Sequence, residues 1–239
     1  MWEQDLRLGS IIGRDRNKAM NMEAIREYLP RYFEAFGLTL KIGWLGILIS
    51  LVIGVTAAFI LYYRIPVVSQ IVKCYVELFR NTPLLVQLFF IYFGLPKLGL
   101  TVSAEVCGFL GLGLLGGSYM TEAVRSGLEA VPASQTESAY ALGMSRRQCF
   151  LLIILPQAFS ISVPAILANL IFLLKETSVF SAISLMDLMF TAKDLIGLYY
   201  NTTECLVLLV IFYTVMLLPV SIIGGVIEKK VRFAAFGDR

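Results

Sequence analysis

Residues Ile42 to Tyr63 read IGWLGILISLVIGVTAAFILYY, a run without one charged side chain. As an α-helix rising about 1.5 Å per residue, it exceeds the roughly 30 Å hydrocarbon core of a bilayer. A second run, Cys205 to Ile227, has the same property. Backbone groups in lipid must be satisfied within the protein, so both runs are expected to cross a membrane as helices. Three weaker candidates lie between them: Thr82 to Pro96, Val106 to Thr121, and the long run Cys149 to Leu174 that Pro156 and Pro164 divide. Lys97, Glu105 and Glu122 flank the short runs, where they can sit at an interface or face the bundle interior. A proline has no amide hydrogen and clashes with the preceding turn, so Pro156 is expected to end one helix, with the next span starting near Ile161.

The expected fold is therefore an all-α integral membrane protein, a bundle of five transmembrane helices with spans at about 38–63, 82–98, 106–125, 161–182 and 204–227. Composition agrees. Of 239 residues, 58% are hydrophobic and only 15% charged, against about a quarter charged in globular chains. Residues 1–36 form an N-terminal segment with no apolar core or cleavage site of a signal peptide. Within it Met22, Ile25, Leu29, Tyr32, Phe33 and Phe36 recur at three- and four-residue spacing, which predicts an amphipathic helix lying in the interface as an elbow before the membrane-embedded body of residues 37–228. Residues 229–239 are a basic tail. Gly46, Ser50, Gly54 and Ala58 fall every four residues on the first span, and Gly113 and Gly117 repeat the spacing; both stripes suit close helix packing.

Several functions are excluded by what is missing. The chain has no histidine, which removes the commonest general base and the usual triads. Cys74, Cys107, Cys149 and Cys205 stand singly, without the paired spacing of a zinc site, so no metal is expected. A net charge of +3 without a basic run gives no reason to expect nucleic acid. An intramembrane enzyme would need paired acids or a serine with a base inside the spans; Asp187 and Asp194 fall in an expected loop instead. An odd number of spans puts the two ends on opposite sides. Lys229, Lys230, Arg232 and Arg239 favour a cytoplasmic C-terminus, but the loops this places inside hold ten Lys or Arg against eight outside, six of them among the first 31 residues, so charge bias alone does not set the orientation.

The region of about 126–160 is too polar to span and too patterned for a linker. Ser134-Gln135-Thr136-Glu137 reads as a capping box behind Pro132, opening a short helix that ends at Gly143. Ser145-Arg146-Arg147-Gln148 reads as a second box, opening a longer helix. A two-turn helix is barely stable alone in water, so the first must rest on its own bundle or on a partner. At the second corner of interest, Thr82 is expected to cap a helix with Pro83 at its first position.

Glu137-Ser138-Ala139, three residues, Gly143, nine residues, and Ile153-Ile154-Leu155-Pro156 resemble the EAA loop of ABC importer permeases, E-A-A-x3-G-x9-I-x-L-P. The stretches Glu77 to Gln87 (ELFRNTPLLVQ), Tyr119 to Gly127 (YMTEAVRSG), Leu155-Pro156-Gln157-Ala158, and Asn169 with Lys175-Glu176-Thr177-Ser178 are similar to the polar amino acid branch of that family. The likeness covers roughly residue 32 to the end; Ser138 stands where the motif has an alanine. The resemblance implies the membrane subunit of an ATP-driven importer of a polar amino acid, not an enzyme. Gln135, Glu137, Ser138, Ala139, Ala141, Leu142 and Gly143 would form a coupling helix and its exit, docking on a cytoplasmic ATPase. No glycine-lysine dipeptide of a phosphate-cradling loop occurs, so this chain would bind no cofactor, and ATP and Mg would be used by the partner.

The partners so implied are two P-loop ATPase subunits, an extracytoplasmic solute-binding protein, a second permease chain, identical or related, membrane lipid and the amino acid itself. The resemblance also places the loop, and with it the C-terminus, in the cytoplasm and the N-terminus outside a bacterial plasma membrane. Polar groups at membrane depth are costly and mark candidate substrate routes: Gln87, Glu122, Asn169, Lys175 and Glu176 qualify, although Glu122 and Arg125 at i, i+3 can simply pair. A gradient-driven secondary transporter is the alternative; it calls for internal repeats, and no convincing one is found.

Overall fold

A computed structural model describes residues 21–236. Every regular element among them is helical. The helices are α1 (Met22–Tyr62), α2 (Val68–Arg80), α3 (Leu84–Phe89), α4 (Ala104–Glu129), α5 (Ala133–Ala141), α6 (Arg146–Cys149), α7 (Leu155–Glu176), α8 (Leu188–Tyr199) and α9 (Thr202–Phe236). Three helical stretches are long and apolar enough to cross a membrane: α1, the joined stretch Arg146–Ile183, and the greater part of α9; the bent pair Val68–Arg80 and Leu84–Leu98 is so only when its two arms are taken together. With 26 residues, α4 is about 39 Å long and can also span, though its glycines lower its hydropathy.

α4 is the centre of the bundle. Gly46, Ser50, Gly54 and Ala58 are all buried on one face of α1, and α1 runs parallel to α4 in close contact. A Cβ on Gly46 would lie 2.8 Å from Leu112 Cδ2, and one on Gly54 would collide with Met120. Across the seam, Gly113 and Gly117 face Ile49 and Ile53. Small side chains let the two backbones approach, as the spacing suggested. On its other side α4 meets α7 antiparallel, Gly116 against Leu173 and Gly127 against Ser162.

The N-terminal residues depart from the expected elbow. Residues 1–20 lie outside the described residues, but from Met22 the helix continues into the first span without a break. Nothing between Phe36 and Leu38 stops a helix, and the aromatic face has a helical partner. Tyr28, Tyr32 and Ala35 pack on Leu188, Leu195 and Leu208 of α8 and α9. The Tyr32 hydroxyl donates to the Cys205 carbonyl at 2.7 Å, and the backbone N–H of Asn21 donates to Glu204 Oε1 at 2.8 Å. Residues 22–36 are an extension of α1 clasped by α8 and α9, with Met22 and Phe33 left exposed. The opposite end of α9 lies at the far end of the bundle, some 50 Å away by its 35 residues.

Two prolines behave differently from expectation. Pro156 does not end a helix: α6, a π-turn over Phe150–Ile154, and α7 form one continuous rod. The π-turn widens the ladder, the Leu155 N–H reaching back five residues to the Phe150 carbonyl, which leaves room for a residue that has no N–H. A second π-turn, Phe90–Gly94, likewise ends two residues before Pro96. At the α2–α3 corner the chain bends by 105°. Thr82 does not cap α3; its hydroxyl donates backwards to the Leu78 carbonyl, and Pro83 occupies the cap position. Pro83 cannot supply the N–H that would continue the ladder to Phe79. Gln87 Nε2 replaces it, donating to the carbonyls of Phe79 at 3.0 Å and Thr82 at 2.9 Å.

The segment holding Asp187 and Asp194 is the twelve-residue helix α8 and not a loop. Asp187 caps it, accepting from the Phe190 N–H at 2.9 Å, and Thr39 Oγ1 of α1 accepts from the Leu188 N–H.

Candidate coupling surface and charged cavities

The stretch between α4 and α7 presents the short helix α5 at one end of the bundle. Its first cap differs from the sequence reading: Pro132 holds the N-cap position, and no Ser134–Glu137 box forms. Glu137 makes no hydrogen bond or ion pair among the described residues, so its carboxylate is free on the surface. The second box is present, with Ser145 Oγ accepting from the Gln148 N–H and Gln148 Oε1 accepting from the Ser145 N–H.

α5 is held by one side chain and one turn. Ala139 is 3% exposed and sits among Leu128, Cys149, Ile154 and Ala158. Gly143 has φ +77°, donates to the Tyr140 carbonyl at 2.9 Å, and is followed by a Met144 N–H donating to Ala139 at 3.1 Å. This is a Schellman turn, which favours glycine at the left-handed position. Gln135, Glu137, Ser138 and Ala141 are exposed, and Leu142 is 82% exposed. α5 is thus a mostly bare nine-residue helix whose one buried residue is Ala139.

Within the bundle, four of the five polar candidates lie near α4 and one does not. Glu122 receives a fork from Arg125, Nε to Oε1 at 3.2 Å and Nη2 to Oε2 at 2.7 Å, while Arg125 Nη1 also binds Glu129. Asn169 of α7 donates to the Tyr119 carbonyl at 3.4 Å. Gln87 is buried and committed to the α2–α3 corner. Glu176 faces a cavity of about 360 Å³ with Arg80, Thr82, Tyr119 and Phe172. Lys175 points the other way, into a groove between α7 and α9 beside Tyr213 and Thr214; consecutive residues on a helix do not share a face.

A second, more polar cavity of about 560 Å³ is lined by Arg64, Lys73, Glu77, Glu122, Arg125 and Glu129. It carries three cationic and three anionic side chains. Sequence reasoning missed Arg80, which joins the two regions: its Nη1 lies 3.6 Å from Glu122 Oε2 and its guanidinium sits 5.5 Å from the Tyr119 ring centre. The signal was a lone arginine at a helix end, and nothing local links it to a residue 42 positions on. Among the described residues no group of three His, Cys, Asp or Glu could hold a metal ion.

Buried small-residue seams and long apolar helices define a helical membrane bundle. The model of the binding-protein-dependent transport system inner membrane component family matches residues 46–233. The chain is 32% identical over 214 residues to the arginine transport system permease protein ArtQ of Bacillus subtilis (strain 168), covering 89% of this chain and 98% of that protein. It is 33% identical over 172 residues to the probable glutamine ABC transporter permease protein GlnP of the same organism, covering 72% and 79%. Among solved structures, a crystal structure of an amino acid ABC transporter with histidines superposes with a TM-score of 0.83 at 30% identity, covering 89% of this chain and 100% of that one. The chain belongs to the family of inner membrane components of binding-protein-dependent transport systems. It is an ABC importer permease, a transport subunit and not an ATPase, which removes the gradient-driven alternative.

Proposed function

We propose that this permease carries a polar amino acid into the cell and takes its power stroke through α5. The observation that carries the reading is the exposed α5–Gly143 unit, fixed to the bundle by Ala139 and the Schellman turn. Gln135, Glu137, Ser138, Ala141 and Leu142 form the face that enters a groove on a cytoplasmic ATPase, while Ala139 and Gly143 set the angle at which that face is presented. The end of the bundle bearing α5 and the C-terminus of α9 is then cytoplasmic, and the clasp of α1, α8 and α9 faces outward. Two ATPase subunits, using ATP and Mg, work on this chain and a second permease chain, and an extracytoplasmic solute-binding protein delivers the cargo.

Because α6, the π-turn and α7 are one rod, a displacement of α5 moves α7 directly, and α7 carries Asn169 and Glu176 beside α4. That gives alternating access a rigid lever. The amino acid permeases among its relatives support the cargo class, and the mixed-charge cavities suit a zwitterion, which needs an anion for its ammonium and a cation for its carboxylate. The test is uptake of labelled amino acids into proteoliposomes holding the permease with its ATPase and binding protein. ATP-dependent accumulation of an amino acid is expected; transport that follows an ion gradient without ATP contradicts the reading.

A further inference from the structure

The two charged cavities meet at one ion pair. Arg80, at the end of α2, lines the smaller cavity and not the larger. Glu122, on α4, lines the larger and not the smaller. Their 3.6 Å approach therefore lies where the two cavities adjoin. The pair is looser than its neighbour: 3.6 Å is beyond hydrogen-bond length, whereas Arg125 holds the same carboxylate at 2.7 Å. Each partner also has a second support that would outlast separation, Arg80 on the Tyr119 ring and Glu122 in the Arg125 fork. In the smaller cavity Arg80 is the only cation and Glu176 the only anion among the lining residues.

We infer that the Arg80–Glu122 pair is an ionic latch between the two cavities, released by the free carboxylate of the cargo. The inference rests on the function proposed above. A zwitterion in the smaller cavity places its carboxylate on Arg80 and its ammonium towards Glu176. Arg80 leaves Glu122, which stays neutralised by Arg125, and the junction opens towards the larger cavity. A cargo without a free carboxylate does not release the latch. Arg80 is thus both gate and specificity residue, selecting for the group that every amino acid shares.

The test uses the permease–ATPase complex in proteoliposomes, reading ATP hydrolysis without binding protein and ATP-driven uptake with it. Glu122→Gln breaks the latch but leaves Arg80, so unstimulated hydrolysis is expected to rise about fivefold, the low end of coupling between sites. Arg80→Gln breaks the latch and removes the carboxylate partner, so the same rise is expected with uptake falling at least about tenfold. Because one pair is involved, Arg80→Gln/Glu122→Gln is expected to hydrolyse no faster than either single variant. Assembly of each variant is read from ATPase retained on purification. Wild-type hydrolysis and uptake in Arg80→Gln, or an additive rise in the double variant, overturns the latch. Absence of ATP-driven uptake in the wild type overturns the function proposed above and the latch with it, so the two failures are separable.

Discussion

Gly127 on α4 and Ser162 on α7 lie so close that a Cβ added to Gly127 would collide with the Ser162 hydroxyl and approach the Ala158 carbonyl to 2.6 Å. The neighbour is partly backbone and cannot yield by a rotamer change. Gly127→Ala is expected to lower stability by about 1–3 kcal/mol, the usual cost of overpacking. Gly225→Ala, with nothing within 4 Å, is the control and is expected to be neutral or slightly stabilising, since alanine is the better helix former. Thermal unfolding in detergent checks both; equal Tm values for the two variants would contradict the close seam.

Gln87 stands in for the N–H that Pro83 lacks. Gln87→Leu keeps the volume and leaves the carbonyls of Phe79 and Thr82 without their donor, at an expected cost of about 1–3 kcal/mol. Limited proteolysis at the α2–α3 corner should show the loosening first, before global unfolding. A variant that resists cleavage as well as the wild type would mean that the corner is held by packing alone.

Asp187 is fully buried, and its Oδ2 has no hydrogen-bond partner among the described residues. Burial pushes its carboxyl up to about 7, opposed by the Phe190 and Met189 N–H groups and by the Lys193 charge. For an acid raised in the folded state, the ionised form is penalised. The penalty is absent below the ordinary carboxylate range near pH 4, grows as pH rises towards 7, and is full above it, on the order of 4 kcal/mol. Tm is therefore expected to rise as pH is lowered from 8 to 6. Asp187→Asn still caps α8 and is expected to abolish that slope; a slope that persists in the variant would assign it to another group.

Much of this was legible because it is local or periodic. Uncharged runs mark the spans, the four-residue spacing of Gly46, Ser50, Gly54 and Ala58 marks the α1–α4 seam, and Ser145–Gln148 and Gly143 fall where capping chemistry puts them. The misreadings share a cause. At Ser134, at Thr82 and at Pro156, a local rule was overridden by a non-local or compensating one: Pro132 took the cap, Gln87 reached back across a corner, and a π-turn made room for a proline. α8 was hidden because its cap, Asp187, is buried against α1 and not solvated. Arg80 could not be tied to Glu122 from sequence, since their meeting depends on the packing of α2 against α4. Lys175 was grouped with Glu176 by adjacency, and helix geometry separates them.

The central claim is that α5 transmits ATPase motion, and Gly143 is where it is most exposed to test. With φ at +77° and open space around it, Gly143→Asp strains the exit of α5 without a clash in the core. The measurement is affinity purification of the membrane complex in mild detergent, followed by identification of what is retained. The wild type is expected to retain a P-loop ATPase, and Gly143→Asp is expected to lose it while the permease stays inserted and monodisperse. A Gly143→Asp protein that keeps its ATPase and supports wild-type uptake would contradict the account.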